Sequence, residues 1–202
     1  MEQRTDEWFA ARLGKVTGSR VSDVMSKTKS GYSATRANYM AQLICERLTG
    51  VKVESFTSAA MEWGVEQEPF AIAAYEAMHG VFVEAVGFVE HPTIALAGAS
   101  PDGFVAPDGL IEIKCPNSAT HIDTLLNGDV DGKYIKQMQW QMACTGRQWC
   151  DFVSFDPRLP GNLQLFVKRI PRDEAAINAM EMEVTKFLAE LATKVQQLEK
   201  LR

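Results

Sequence analysis

Apolar and polar positions alternate with two distinct periods along the chain, and the change of period divides it. Up to about residue 80 the spacing is helical. Thr17 or Ser19 is placed to cap a short helix running through Met25, and Lys27-Thr28-Lys29-Ser30-Gly31 follows as a polar loop. From about Ala34, the residues Tyr39, Met40, Leu43, Ile44 and Leu48 fall on one helical face, and Gly50 supplies the stop. A second helix is predicted from about Ser58 to Met78, closed by Gly80. Pro69 lies inside it, where a missing N–H and a ring clash should kink or divide the helix.

Short apolar runs then take over. Val81-Phe82-Val83 with Phe88-Val89 reads as one strand, followed by Ile94–Ala99, then Gly103–Val105, a Pro107-Asp108-Gly109 turn and Leu110–Lys114, in a meander. Helices are expected at about 118–127 and 133–145, and strands at Cys150–Phe155 and Leu163–Ile170. A long helix from about Asp173 to Leu201 carries Ile177, Met180, Val184, Phe187, Leu191, Val195 and Leu198 on one face. The reading is a single α/β domain over 1–202 with a central mixed β-sheet flanked by helices. Its helical part covers about 1–80, its sheet core about 81–170, and its C-terminal helix about 172–201.

Composition narrows the class. The chain has 202 residues, 46% hydrophobic and 23% charged, which suits one domain with a proper core. No apolar run is long enough to span a bilayer, and the acidic N-terminus lacks the apolar stretch of a signal peptide. Cys45, Cys115, Cys144 and Cys150 form no C-x-x-C pair, so reduced thiols in a cytoplasmic protein are expected. The net charge of −5 argues at first against a nucleic-acid partner. Its distribution reopens the case: residues 1–52 carry nine Lys/Arg against five Asp/Glu, and residues 53–112 carry ten Asp/Glu and no Lys or Arg. A basic arm beside an acidic middle permits one surface for phosphates and another for divalent cations, although solvated acidic faces would look the same.

The chemistry concentrates in Pro101-Asp102 and Glu112-Ile113-Lys114. A tight hairpin brings Asp102 and Glu112 together, and two converging carboxylates make the hard oxygen site that suits Mg²⁺. Strand alternation puts Glu112 and Lys114 on one face while Ile113 fills the core, leaving its backbone carbonyl for the metal. Lys114 then stands where it can orient an attacking water. Glu68, on the preceding helix, is the candidate to complete the site, with Glu62, Glu66 and Glu76 as competitors that chemistry alone leaves open.

These strings resemble a known family. Ser100-Pro101-Asp102-Gly103 with Glu112-Ile113-Lys114-Cys115-Pro116 is similar to the lambda-exonuclease (YqaJ-type viral recombinase) branch of the PD-(D/E)xK nucleases, which have a restriction-endonuclease-like core. Trp8, Arg12-Leu13-Gly14 and Thr17-Gly18-Ser19 resemble that family's opening motif, Trp63-Gly64 with Glu68 its acidic helix, Gln137-Met138-Gln139 its Q-x-Q helix, and Phe155-Asp156-Pro157 its Tyr-Asp-Pro.

The resemblance implies a homotrimer, acting in the bacterial host cytoplasm, that degrades one strand of linear duplex DNA from a 5′-phosphorylated end. It would release mononucleotides and leave a 3′ single strand for an annealing protein in phage-type recombination. It implies Mg²⁺, as one or two ions that Mn²⁺ can replace, on Asp102, Glu112 and the Ile113 carbonyl, with Lys114 handling water and Glu68 in support. Arg12, Ser19, Ser100 and Gln137 match positions that bind the terminal 5′-phosphate. By the same resemblance Met61 would take the place of an apolar residue that wedges the terminal base pairs apart, and Lys29 would track the duplex backbone. His79, His91 and His121 match no role in the family. The alternatives are a RecB-like or Cas4-like nuclease of the same fold, the latter holding an iron–sulfur cluster on cysteines, and a non-catalytic module that binds DNA ends.

Overall fold

The computed structural model describes residues 2–53 and 58–201. The helices sit close to where periodicity puts them, because their ends carry local stop signals. In α3 (Ala34–Thr49) the Ser33 hydroxyl accepts the Arg36 N–H, and Gly50 closes the helix at φ 69°. In α4 (Ala59–His79) Ser58 accepts from Met61, and Gly80 closes the helix at φ 64°. A short hydroxyl or carboxamide before the first turn, and a residue free to adopt positive φ after the last, satisfy the backbone groups that a helix leaves over. The same pairing bounds α5 (Ser118–Asn127) and α6 (Gly132–Thr145). A short α1 (Asp6–Arg12) and α2 (Val21–Val24) precede them, and α7 (Glu174–Glu199) ends the chain.

Pro69 does not divide α4, which runs unbroken over its 21 residues. Both Pro69 and Val65 are exposed, so the carbonyl that lacks an N–H partner lies on the side of the helix open to water. Nor does Thr17 or Ser19 cap a helix. Gly18–Arg20 form a 3-10 turn with no side-chain cap, and Arg20 occupies the cap position of α2. The polar loop at 27–31 is a small hairpin, β2 (Lys27–Thr28) against β3 (Gly31–Tyr32).

The expected meander is split between two sheets. Val83–Glu84 (β4) and Val89–Glu90 (β5) are separate strands. β5 pairs with β6 (Ala97–Ala99), which pairs in parallel with β1 (Val16–Thr17), a two-residue strand too short to leave a periodic signal. β4 instead pairs with β7 (Gly103–Val105), and β7 with β8 (Gly109–Lys114). The main sheet has the order β10-β9-β8-β7-β4, with β9 (Trp149–Phe155) and β10 (Leu165–Pro171). Only β8 and β9 run parallel in it, joined by a crossover that contains α5 and α6. The sheet is therefore mixed and flanked by helices, as the element order implied.

Strand alternation sends side chains into two cores. Leu110, Cys150, Phe152 and Ile170 pack with α2, α3, α6 and α7. Val105, Ile111, Ile113, Val153 and Phe155 pack with Ala71 and Tyr75 of α4. Among the described residues no helix is long and apolar enough to cross a membrane.

Candidate active site

Register places the two central carboxylates. Gly103 lies opposite Ile111 across β7 and β8, so Asp102 and Glu112 are the next pair along the hairpin. Asp102 Oδ2 accepts the Ile113 N–H at 2.6 Å, which fixes it at the end of the sheet. Gly103 allows the close approach on its other side: a Cβ there would stand 2.2 Å from Val83 Cγ1. Ile113 points into the α4 core, as the period of two requires.

Glu112 therefore points to the opposite face, toward α6. It is fully buried, and it accepts Gln137 Nε2 at 2.7 Å and Gln141 Nε2 at 2.6 Å, one on each oxygen. Lys114 Nζ also donates to Glu112, and lies 5.1 Å from the centroid of the Tyr134 ring. Burial pushes the Asp102 carboxyl well above its usual range; Glu112 and Glu68 push the same way, outweighing Lys114 and the Ile113 N–H. Burial alone would pull the Lys114 ammonium down, but the charges of Glu112 and Asp102 outweigh it and raise it. Lys114 is thus held protonated by its carboxylate neighbours.

Of the acidic candidates on α4, the structure brings Glu68 to this group. Burial, together with the charges of Glu68 and Asp102, lifts the neighbouring Cys115 thiol to about 12. Glu62 and Glu66 are exposed, and Glu76 is occupied in accepting the Val83 N–H at 2.7 Å, which holds β4. Glu68 itself accepts Arg4 Nη2 at 2.6 Å. Among the described residues, no three His, Cys, Asp or Glu side chains stand close enough together to hold a metal ion. The donor set nevertheless fits a hard divalent cation. Glu112 and Glu68 raise the proton affinity of Asp102, and carboxylate oxygens crowded in that way are those that a cation would relieve.

A cleft of about 430 Å³ is lined by Trp8, Arg12, Ser19 and Met61 among others, and Ser100, two residues before Asp102, is bonded to two of its lining residues. Ser100 Oγ accepts both Trp8 Nε1 and Arg12 Nη1 at 2.9 Å, and the Arg12 guanidinium stacks 4.0 Å from the Trp8 ring centroid. Burial lowers Arg12 to about 10, and among the described residues it forms no ion pair with a carboxylate. Met61 is 55% exposed at the cleft wall, so it is not a core residue. Gln137 sits apart from the cleft set, on Glu112. Lys29 is exposed in the β2–β3 turn, whose neighbour Lys27 is tied to Glu183 of α7 at 2.8 Å.

Sequence reasoning missed Gln141 and Arg4 and left Trp8 without a role. Gln137 and Gln141 share a helix face four residues apart, a spacing that could have found the pair. Gln139, the second Gln of the motif, instead ties Pro171 and Asp173 behind the sheet. The histidines serve the scaffold: His91 faces Glu181 at 3.1 Å, His121 bridges Ser154 and the Leu163 carbonyl, and His79 packs on Tyr75. Cys45 is exposed while Cys144 and Cys150 are buried, and no cysteine cluster exists among the described residues.

Residues 7–148 match the family model of the YqaJ-like viral recombinase domain. Among solved structures, the chain is similar to an alkaline exonuclease (LHK-Exo) from Laribacter hongkongensis, at 58% identity over 97% of both chains with a TM-score of 0.91. The same enzyme in complex with dAMP superposes with a TM-score of 0.92 at the same identity and coverage. A phage related exonuclease from Haemophilus somnus covers 93% of this chain and 96% of its own, with 17% identity and a TM-score of 0.75, a likeness of fold. Comparison with curated protein sequences gives no match.

Proposed function

The chain belongs to the YqaJ-like viral recombinase domain family, and from that premise we propose that it is a Mg²⁺-dependent DNA exonuclease working 5′ to 3′ on linear duplexes. It removes mononucleotides from 5′-phosphorylated ends and leaves a 3′ single strand for an annealing protein, with a homotrimer as the working form. The similar alkaline exonuclease, and the dAMP in its complex, support a nucleotide-releasing reaction.

The observation that carries the polarity is Arg12. A half-buried guanidinium without a carboxylate partner is left short of compensation unless an anion joins it, and the fork geometry of Arg suits phosphate oxygens. Ser100 and Trp8 already fix its orientation, and Ser19 lines the same cleft. A 5′-phosphate there supports cleavage one nucleotide inward, at the carboxylate group. Met61, exposed on the cleft wall, suits contact with the terminal base pair. Lys29 suits the duplex backbone further out.

Asp102 and Glu112, with the Ile113 carbonyl and Glu68, would hold the metal, as one or two ions, with Mn²⁺ as a substitute. When bound, a divalent ion there supplies a hydroxide at neutral pH and neutralises charge growing on phosphorus. Gln137 and Gln141 hold Glu112 aimed. Lys114, kept protonated by Glu112 and Asp102, donates hydrogen bonds that orient the attacking water and the phosphate oxygens. Gln137, which in this reading would also contact the terminal phosphate, is held on Glu112 in this structure.

The test is digestion of a linear duplex labelled at one 5′ end, with Mg²⁺ or with EDTA. Mononucleotides should appear only with Mg²⁺, and much faster from 5′-phosphate than from 5′-hydroxyl ends. Equal rates on both ends, or loss of that preference failing to accompany Arg12→Ala, would remove the phosphate pocket from the mechanism.

A further inference from the structure

The segment ahead of α1 lies against the carboxylate group, although nothing in its sequence singles it out. Gln3 Nε2 donates to the Pro101 carbonyl at 2.7 Å and to the Val86 carbonyl at 2.8 Å, pinning the chain beside Asp102. One residue later the backbone turns through the left-handed region, with Arg4 at φ 69°, and the Arg4 side chain donates to Glu68 at 2.6 Å. Thr5 then caps α1 by accepting the Trp8 N–H. Positive φ at a non-glycine residue is uncommon and carries strain, and here both flanking residues are anchored to hold it. The result is a guanidinium set on the one carboxylate of the group that β8 and α6 leave unbonded.

We propose that Arg4 is a built-in counter-cation: it neutralises and positions Glu68 until a divalent ion binds, and the ion displaces it. The inference rests on the reading of Glu68 as a residue that supports the metal. A carboxylate oxygen that donates fully to a metal cannot keep a strong bond to a guanidinium, so the two cations compete for Glu68. The exchange is cheap because the pair is solvated: the side chains of Arg4 and Glu68 are 47% and 26% exposed. Arg4 thus acts through Glu68 and is a positioning residue. Its removal should show as altered metal affinity before any DNA is present.

The experiment is calorimetric titration of Mn²⁺ into the DNA-free full chain for wild type, Arg4→Gln, Arg4→Lys and Glu68→Gln. Arg4→Gln should bind Mn²⁺ about two- to fivefold more tightly, the range an exposed ion pair commands. Arg4→Lys, which keeps the charge, should stay close to wild type, and Glu68→Gln should bind more weakly. Limited trypsin cleavage after Arg4 should also quicken when Mn²⁺ is added to wild type, and not in Glu68→Gln. Weaker binding in Glu68→Gln with unchanged affinity in Arg4→Gln overturns the counter-cation and leaves the metal reading intact. Unchanged affinity in Glu68→Gln overturns the reading of Glu68 itself, and the inference with it.

Discussion

Gln141 donates a 2.6 Å hydrogen bond to Glu112 from α6, so a helix behind the sheet fixes where the central carboxylate points. Replacing Gln141 with Leu keeps the bulk and leaves one oxygen of a fully buried carboxylate without its partner. The expected cost is about 1–3 kcal/mol of stability, read by chemical denaturation. The turnover number should fall at least tenfold while affinity for DNA ends changes little. Wild-type turnover in this variant would mean that Glu112 needs no support from α6.

Lys114 is held protonated by Glu112 and Asp102 and lies outside the Arg12 cleft. Lys114→Ala should abolish cleavage while binding of 5′-phosphorylated ends persists, measured by fluorescence anisotropy in Ca²⁺. Substantial turnover in that variant would remove Lys114 from the reaction.

Gly103 follows Asp102 and packs under β4, where an added Cβ would meet Val83 Cγ1 at 2.2 Å and Ile111 Cγ2 at 3.3 Å. Gly103→Ala should cost about 1–3 kcal/mol through overpacking and slow the reaction by shifting Asp102. Adding Val83→Ala should recover part of both losses. No recovery in the double variant would show that Val83 is not the obstacle.

Asp156 predicts a pH dependence. Burial pulls its carboxyl up, but hydrogen bonds from Arg158 and Ser118 win and hold it at about 2, below its ordinary 3.8. A depressed folded value means that the stabilisation is complete above the unfolded value and is lost as pH falls through the folded one. The wild type should therefore lose about 2 kcal/mol relative to Asp156→Asn between roughly pH 4.5 and 1.5, with the variant less stable at neutral pH. Parallel stability curves for the two proteins across that range would overturn the assignment.

The order of helices and strands was written in local signals. Ser33 with Gly50, Ser58 with Gly80 and Asn117 with Gly128 mark helix ends by chemistry that acts within a turn, so the sequence alone locates them. The hairpin that pairs Asp102 with Glu112 is local in the same way. What the tertiary structure decided depends on contacts between distant segments: that 81–114 is shared by two sheets, that Val16–Thr17 is a strand, and that Arg4 reaches Glu68 across 64 positions. Glu68 differs from Glu62, Glu66 and Glu76 only in what faces it, and a carboxylate's environment is set by neighbours that helical spacing does not name. The sequence by itself named the candidate residues for the chemistry; folding decided which of them meet, because charge and burial act through space and not along the chain.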